Sequence, residues 1–170
     1  MRKSEFWFIY LLLIIAQLLF ANYLRISPYL MLSILPVMVL CIPIRLGTAG
    51  AMFLAFATGL VIDLLSEGML GLNAIALVPV AYCRNGIIRL VFGTEVFARE
   101  EDFSVQKNGF GKVFQALLIA QVIFLVIYIW VDGAGMRPFS FNAIRFAVSL
   151  VAGILISLPT LGLLAPDSRR

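Results

Sequence analysis

Long apolar runs separated by short turns make up most of this chain. Six can be marked, at 6–24, 29–44, 46–65, 72–92, 113–131 and 143–164. Most approach the ~20 residues needed to cross a ~30 Å hydrocarbon core as a helix. None alternates apolar with polar positions as a membrane barrel strand would. The predicted fold is therefore all-α: a polytopic membrane protein with six transmembrane helices, forming one integral membrane domain over residues 1–170. The second run is short, contains Pro36 and Pro43, and sits only a tight turn before the third. Its pattern fits either a kinked span or a re-entrant hairpin. Pro79 and Pro159 predict kinks in the fourth and sixth helices.

Composition agrees with that reading. Of 170 residues, 62% are hydrophobic and 13% charged, and mean hydropathy is +1.05. A soluble domain is roughly half apolar and about a quarter charged. Arg2 and Lys3 before the first run resemble a signal peptide, but the run is too long and no small-x-small cleavage site follows, so an uncleaved first helix is expected. With six spans and a cytoplasmic N-terminus, ten of the 13 basic residues fall on the inner side and three (Arg25, Arg137 and Arg145) on the outer. This positive-inside bias predicts both termini in the cytoplasm. It also accounts for the net charge of +4, so a nucleic-acid partner is not implied. Phe6, Trp7, Tyr10, Tyr23, Tyr29, Tyr128 and Trp130 read as interfacial belt residues.

Candidate chemistry is sparse. The chain has no histidine, and no serine, cysteine or lysine lies beside a plausible base, which argues against an enzyme. Cys41 and Cys83 lie in apolar runs and read as packing residues. No cofactor or metal ligand set is visible. The longest soluble segment is the cytoplasmic loop 93–111, which carries Glu95, Arg99, Glu100, Glu101, Asp102 and Lys107 with Phe97 and Phe103 among them.

The most informative stretch runs from Gly59 to Ala74. It places Asp63 on an apolar helix, followed by Glu67, a turn bracketed by Gly68 and Gly71, and Asn73 as the expected cap of the next helix. An ionisable group in a span is costly and often functional. Asp63 admits an ion pair with Arg25 or Arg145, a hydrated helix end, proton or substrate transport, or partner contact. Gly47, Ala51, Ala55 and Gly59 form a small-residue ridge on the third helix. Such a ridge suits close packing, either within the chain or against a partner's helix. Arg84, with Asn85 and Arg89, reads as a snorkelling cation or an inward-facing contact.

The segment Gly59-x3-Asp63-Leu-Leu-Ser-x3-Leu-Gly71-Leu-Asn73-Ala-x5-Val-Ala-Tyr82 resembles the signature of the MreD family of rod shape-determining membrane proteins. The chain's length, its six runs and the Ser27-Pro28-Tyr29 stretch are similar too. The resemblance implies a bacterial inner-membrane scaffold of the elongation machinery. Such a scaffold binds MreC and, through it, MreB, RodA and a class-B penicillin-binding protein, supporting cell-wall synthesis without catalysis. It marks Gly59, Asp63, Gly71 and Asn73 as motif residues, and these together with Arg84 are the partner-interface candidates. The family fold is similar to the substrate-binding component of energy-coupling-factor vitamin transporters, which supplies the alternative function. Asn22, Tyr23, Arg25, Asp63, Ser66 and Asn73 are the polar groups that would line such a pocket. The coupling surface of such transporters carries an Ala-x3-Ala pattern on the first helix. Here Ala16 and Ala21 have the wrong spacing, which favours the scaffold.

Overall fold

Residues 30–46 do not form a continuous helix, and the rest of the molecule is arranged around that fact. The structure, a computed structural model, describes residues 3–23, 30–66, 69–93, 109–133 and 137–164. Among these residues every regular element is helical: α1 (Lys3–Tyr23), α2 (Leu35–Leu40), a 3-10 turn (Ile44–Leu46), α3 (Gly47–Leu65), α4 (Leu72–Phe92), α5 (Phe110–Gly133) and α6 (Phe139–Leu164). Among the described residues five helices are long and apolar enough to cross a membrane, as in a multi-pass membrane protein. They are the first and the third to sixth apolar runs, extended or trimmed by a few residues.

The long helices close a ring in the order α1, α3, α4, α5, α6 and back to α1, and α2 packs inside it against α4, α5 and α6. All six residues of α2 are buried. At 1.5 Å per residue it is only ~9 Å long, too short to cross alone. Pro36 sits in its first turn, and Pro43 precedes the 3-10 turn. Proline supplies no N–H, so Pro36 fits the first turn of α2, whose amides lack helical partners, and Pro43 has no amide with which to continue the helix.

Irregular backbone survives at membrane depth only where protein satisfies its polar groups. Here neighbouring side chains do so. Gln17 of α1 donates from Nε2 to the Leu32 carbonyl at 3.1 Å and accepts from the Ile34 amide at 2.9 Å. Ser149 of α6 accepts from the Met31 amide at 3.0 Å. Arg84 of α4 donates from Nε to the Leu40 carbonyl at 3.2 Å and from Nη2 to that of Ile42. The buried polar residues of three long helices are thus used to hold a broken segment.

The same contacts set its direction. Tyr10 pairs with Thr58 at 3.0 Å, and Asn22 donates to the Leu65 carbonyl at 3.3 Å, so α1 and α3 run in parallel. Between them, residues 32 and 34 lie at Gln17 near the far end of α1. Residues 40 and 42 lie at Arg84, and Thr48 at Asn85 near the start of α3.

Burial corrects the aromatic reading of α1. Phe6, Tyr10 and Leu13 are core residues, continued along the same face by buried Gln17. Trp7, Phe8, Leu11, Leu12, Ile15 and Leu19 form the outward stripe. Phe6 and Tyr10 follow the inward periodicity and pack inside because Tyr10 finds its hydroxyl partner in Thr58. Pro79 and Pro159 lie within α4 and α6, which continue past them.

Candidate functional site

The α3–α4 turn is a joint built by the motif residues. Gly59 is buried on α3. A Cβ placed on it would stand 2.5 Å from both N and Cα of Ala74 and 2.9 Å from the carbonyl carbon of Asn73. Only a residue without a side chain lets the first turn of α4 lie this close. One helical turn further along α3, Asp63 meets the same part of α4. Its Oδ1 accepts from Asn73 N at 3.1 Å and Asn73 Nδ2 at 2.7 Å, and its Oδ2 accepts from Asn73 N at 3.0 Å and Ala74 N at 3.3 Å.

This arrangement accounts for the open N–H groups of the helix start. A helix leaves its first amides without internal partners. In α4, Leu72 N donates to the Met69 carbonyl at 3.3 Å, and the next two amides go to Asp63. The carboxylate also meets the positive end of the α4 dipole. Asp63 is 2% exposed, and among the described residues its hydrogen-bond donors all belong to Asn73 and Ala74 of α4. Gly71, with φ +87, makes the left-handed residue of the turn.

Several expectations change as a result. Asn73 is not the cap of α4. It lies inside the first turn, and the cap is supplied from α3 by Asp63. Arg145 does not reach Asp63, because it pairs with Asp132, which also holds Arg137 at 2.9 Å. Arg25 lies outside the described residues, as do Glu67, Gly68, Tyr29 and residues 94–108 of the loop 93–111. Gly59, Asp63, Asn73 and Arg84, marked as partner-interface candidates, are all buried. Each makes its contacts within this chain. On the ridge, Ala51, Ala55 and Gly59 are buried, whereas Gly47 is exposed and opens α3 with φ +67.

Arg84 is 1% exposed and is not a snorkelling residue. Its guanidinium points into the bundle and supplies donors at the C-terminal end of α2, where carbonyls lack helical partners. Asn85, half-buried beside it, donates to Thr48 Oγ1 at 2.8 Å. Among the pocket candidates, Asn22 is used on the Leu65 carbonyl and Tyr23 is exposed. Cys41 is buried and Cys83 partly buried, and neither is in a disulfide.

The sequence reading passed over a second small-polar ridge on α6, Ser149-x3-Gly153-x3-Ser157, which is buried. A Cβ on Gly153 would collide with the side-chain amide of Gln121 on α5. It also passed over Gln17, which serves residues 32 and 34. The available signal was the same in each case: polar or small residues at helical spacing inside apolar runs. In comparisons with known proteins, no family model, curated protein or solved structure matches this chain.

Proposed function

We propose that this chain is a non-enzymatic scaffold of the bacterial inner membrane. It binds MreC within the rod complex and thereby supports cell-wall synthesis and cell shape. In this reading it crosses the membrane six times with both termini in the cytoplasm. The segment containing α2 makes the second pass as a partly unwound chain. The sequence of contacts along residues 32–48 and the ten-to-three division of basic residues support that topology. The resemblance between residues 59 and 82 supports the family.

One observation favours a scaffold over a vitamin-binding component. Asp63 and Asn73, the polar pair that would have lined an outer pocket, bind one another and the start of α4. A ligand site needs polar groups that converge on a cavity. Here Asp63, Gln17, Ser149 and Arg84 converge on backbone, which suits a rigid body presenting apolar helix faces to single-pass partners.

The test is a mild-detergent pull-down of the tagged chain from its native membrane, read by mass spectrometry. Recovery of MreC and cell-wall synthases is the expected result. Recovery of ATPase and coupling subunits would replace the scaffold with the transporter component. Recovery of neither would overturn the assignment. Reporter fusions at the C-terminus check the topology, with cytoplasmic placement expected.

A further inference from the structure

At the end of α5 and the start of α6, two arginines share one carboxylate. Asp132 Oδ2 accepts from Arg137 Nη1 at 2.9 Å and from Arg145 Nη1. The C-terminal end of α5 and the N-terminal end of α6 meet here, so their opposed partial charges largely offset each other. A surplus positive charge remains on the pair. By helix direction this corner lies at the membrane face that carries the Asp63 joint. Among the described residues Arg45, Arg84, Arg89 and Lys112 lie toward the opposite face, so placing two arginines together here runs against that distribution.

Both guanidiniums are held in place, and among the described residues Asp132 is the hydrogen-bond acceptor they share. Arg137 lies over the Phe141 ring at 5.5 Å and Arg145 over the Tyr128 ring at 5.9 Å. Stacking of this kind fixes the guanidinium plane and leaves its N–H edge available. Each arginine carries five donors, and Asp132 takes one nitrogen from each. Arg145 Nε is buried with no partner among the described residues. The Arg137 side chain is 42% exposed and that of Arg145 12%, so the pair reaches the interface through Arg137.

The surroundings are those of an amphiphile site. Trp130 near the end of α5 and Phe139 at the start of α6 are 76% and 87% exposed, and Ile144, Val148, Val151 and Leu155 form an exposed apolar line down α6. Aromatic residues at this depth belong to the head-group region. Paired arginines suit a phosphate because its several oxygens can accept bidentate bonds. We infer that Arg137 and Arg145 bind a phosphate group, as the head group of an anionic lipid whose chains lie along α6. This inference is independent of the scaffold reading.

The test uses the full chain in neutral detergent. Native mass spectrometry measures retention of phosphatidic acid and phosphatidylglycerol against phosphatidylcholine, and thermal unfolding is followed with added inorganic phosphate. Arg137→Gln removes an exposed member of the pair, and Arg45→Gln removes one positive charge at the opposite face. Selective retention of the anionic lipids by the wild type and by Arg45→Gln is expected, with about tenfold weaker retention by Arg137→Gln, the scale of one charged hydrogen-bonding group. Arg137→Lys should recover only part of it. Stabilisation by inorganic phosphate equal to that by lipid, and lost in Arg137→Gln, would keep the phosphate site but assign it to a soluble ligand. Equal retention by all variants would overturn the proposal. So would stabilisation by an acidic peptide with none by phosphate or phospholipid.

Discussion

Gly59 and Ala74 are in backbone contact: a Cβ on Gly59 would lie 2.5 Å from the N and Cα of Ala74. Backbone atoms cannot rotate away as a side chain can. The closeness of this pair places α4 where the Asp63 carboxylate reaches its first amides. The glycine and the aspartate, one turn apart, are therefore two halves of one device.

Gly59→Ala should force α3 and α4 apart and cost about 1–3 kcal/mol, the usual range for overpacking. Fluorescence-detected thermal unfolding in mild detergent would show this as a clear loss of stability. A wild-type melting curve would mean that the helices are not packed this closely.

Asp63→Asn keeps the size of the side chain but replaces one acceptor oxygen with a donor facing N–H groups. The expected cost is about 2–3 kcal/mol. Exchanging charges through Asp63→Arg with Arg145→Asp should restore nothing, since Arg145 is held by Asp132. Recovery of wild-type stability by that exchange would refute the assigned partners.

Arg84→Met leaves the Leu40 and Ile42 carbonyls without their arginine donors at a cost of about 2–4 kcal/mol. The effect should be local to the broken segment. Cys41, buried beside it, is the reporter. In a Cys83→Ser background, maleimide should label Cys41 slowly in the wild type and rapidly in Arg84→Met. Equal rates would separate Arg84 from the integrity of residues 40–42.

Gly153→Ala is expected to be milder than Gly59→Ala. Its new methyl meets the amide of Gln121, the far end of a flexible side chain, rather than backbone. In a Gln121→Ala background the same change should stabilise the protein by about 0.5–1 kcal/mol through helix propensity. Thermal unfolding of the single and double variants tests the change of sign. Equal effects in both backgrounds would show that the two residues do not touch.

Legibility differed from element to element. The five long helices were visible because lipid solvation demands ~20 apolar residues per span and little else resembles that. Gly59, Asp63 and Gly71 were visible as residue types that an apolar helix or a tight turn does not hold by chance. Their roles were not visible. Asp63 read as a candidate for a cationic partner, because a linear pattern displays opposite charges and hides backbone amides. Asn73 read as a cap for the same reason: capping preference is a local rule, and here the cap comes from another helix.

The sequence alone determined the solvent, the approximate bounds of the five long helices, and the places where a glycine or a carboxylate had to matter; it read a sixth span where the structure has the short α2. Hydropathy and backbone sterics act locally, and a string of residues records them. The tertiary structure decided which polar group satisfies which: Gln17 and Ser149 on residues 31–34, Arg84 on residues 40 and 42, Asp63 on α4, and Asp132 on Arg137 and Arg145. Those pairings depend on how the helices are set around the unwound second run. In an apolar medium each buried polar group must take whichever partner that packing brings within reach.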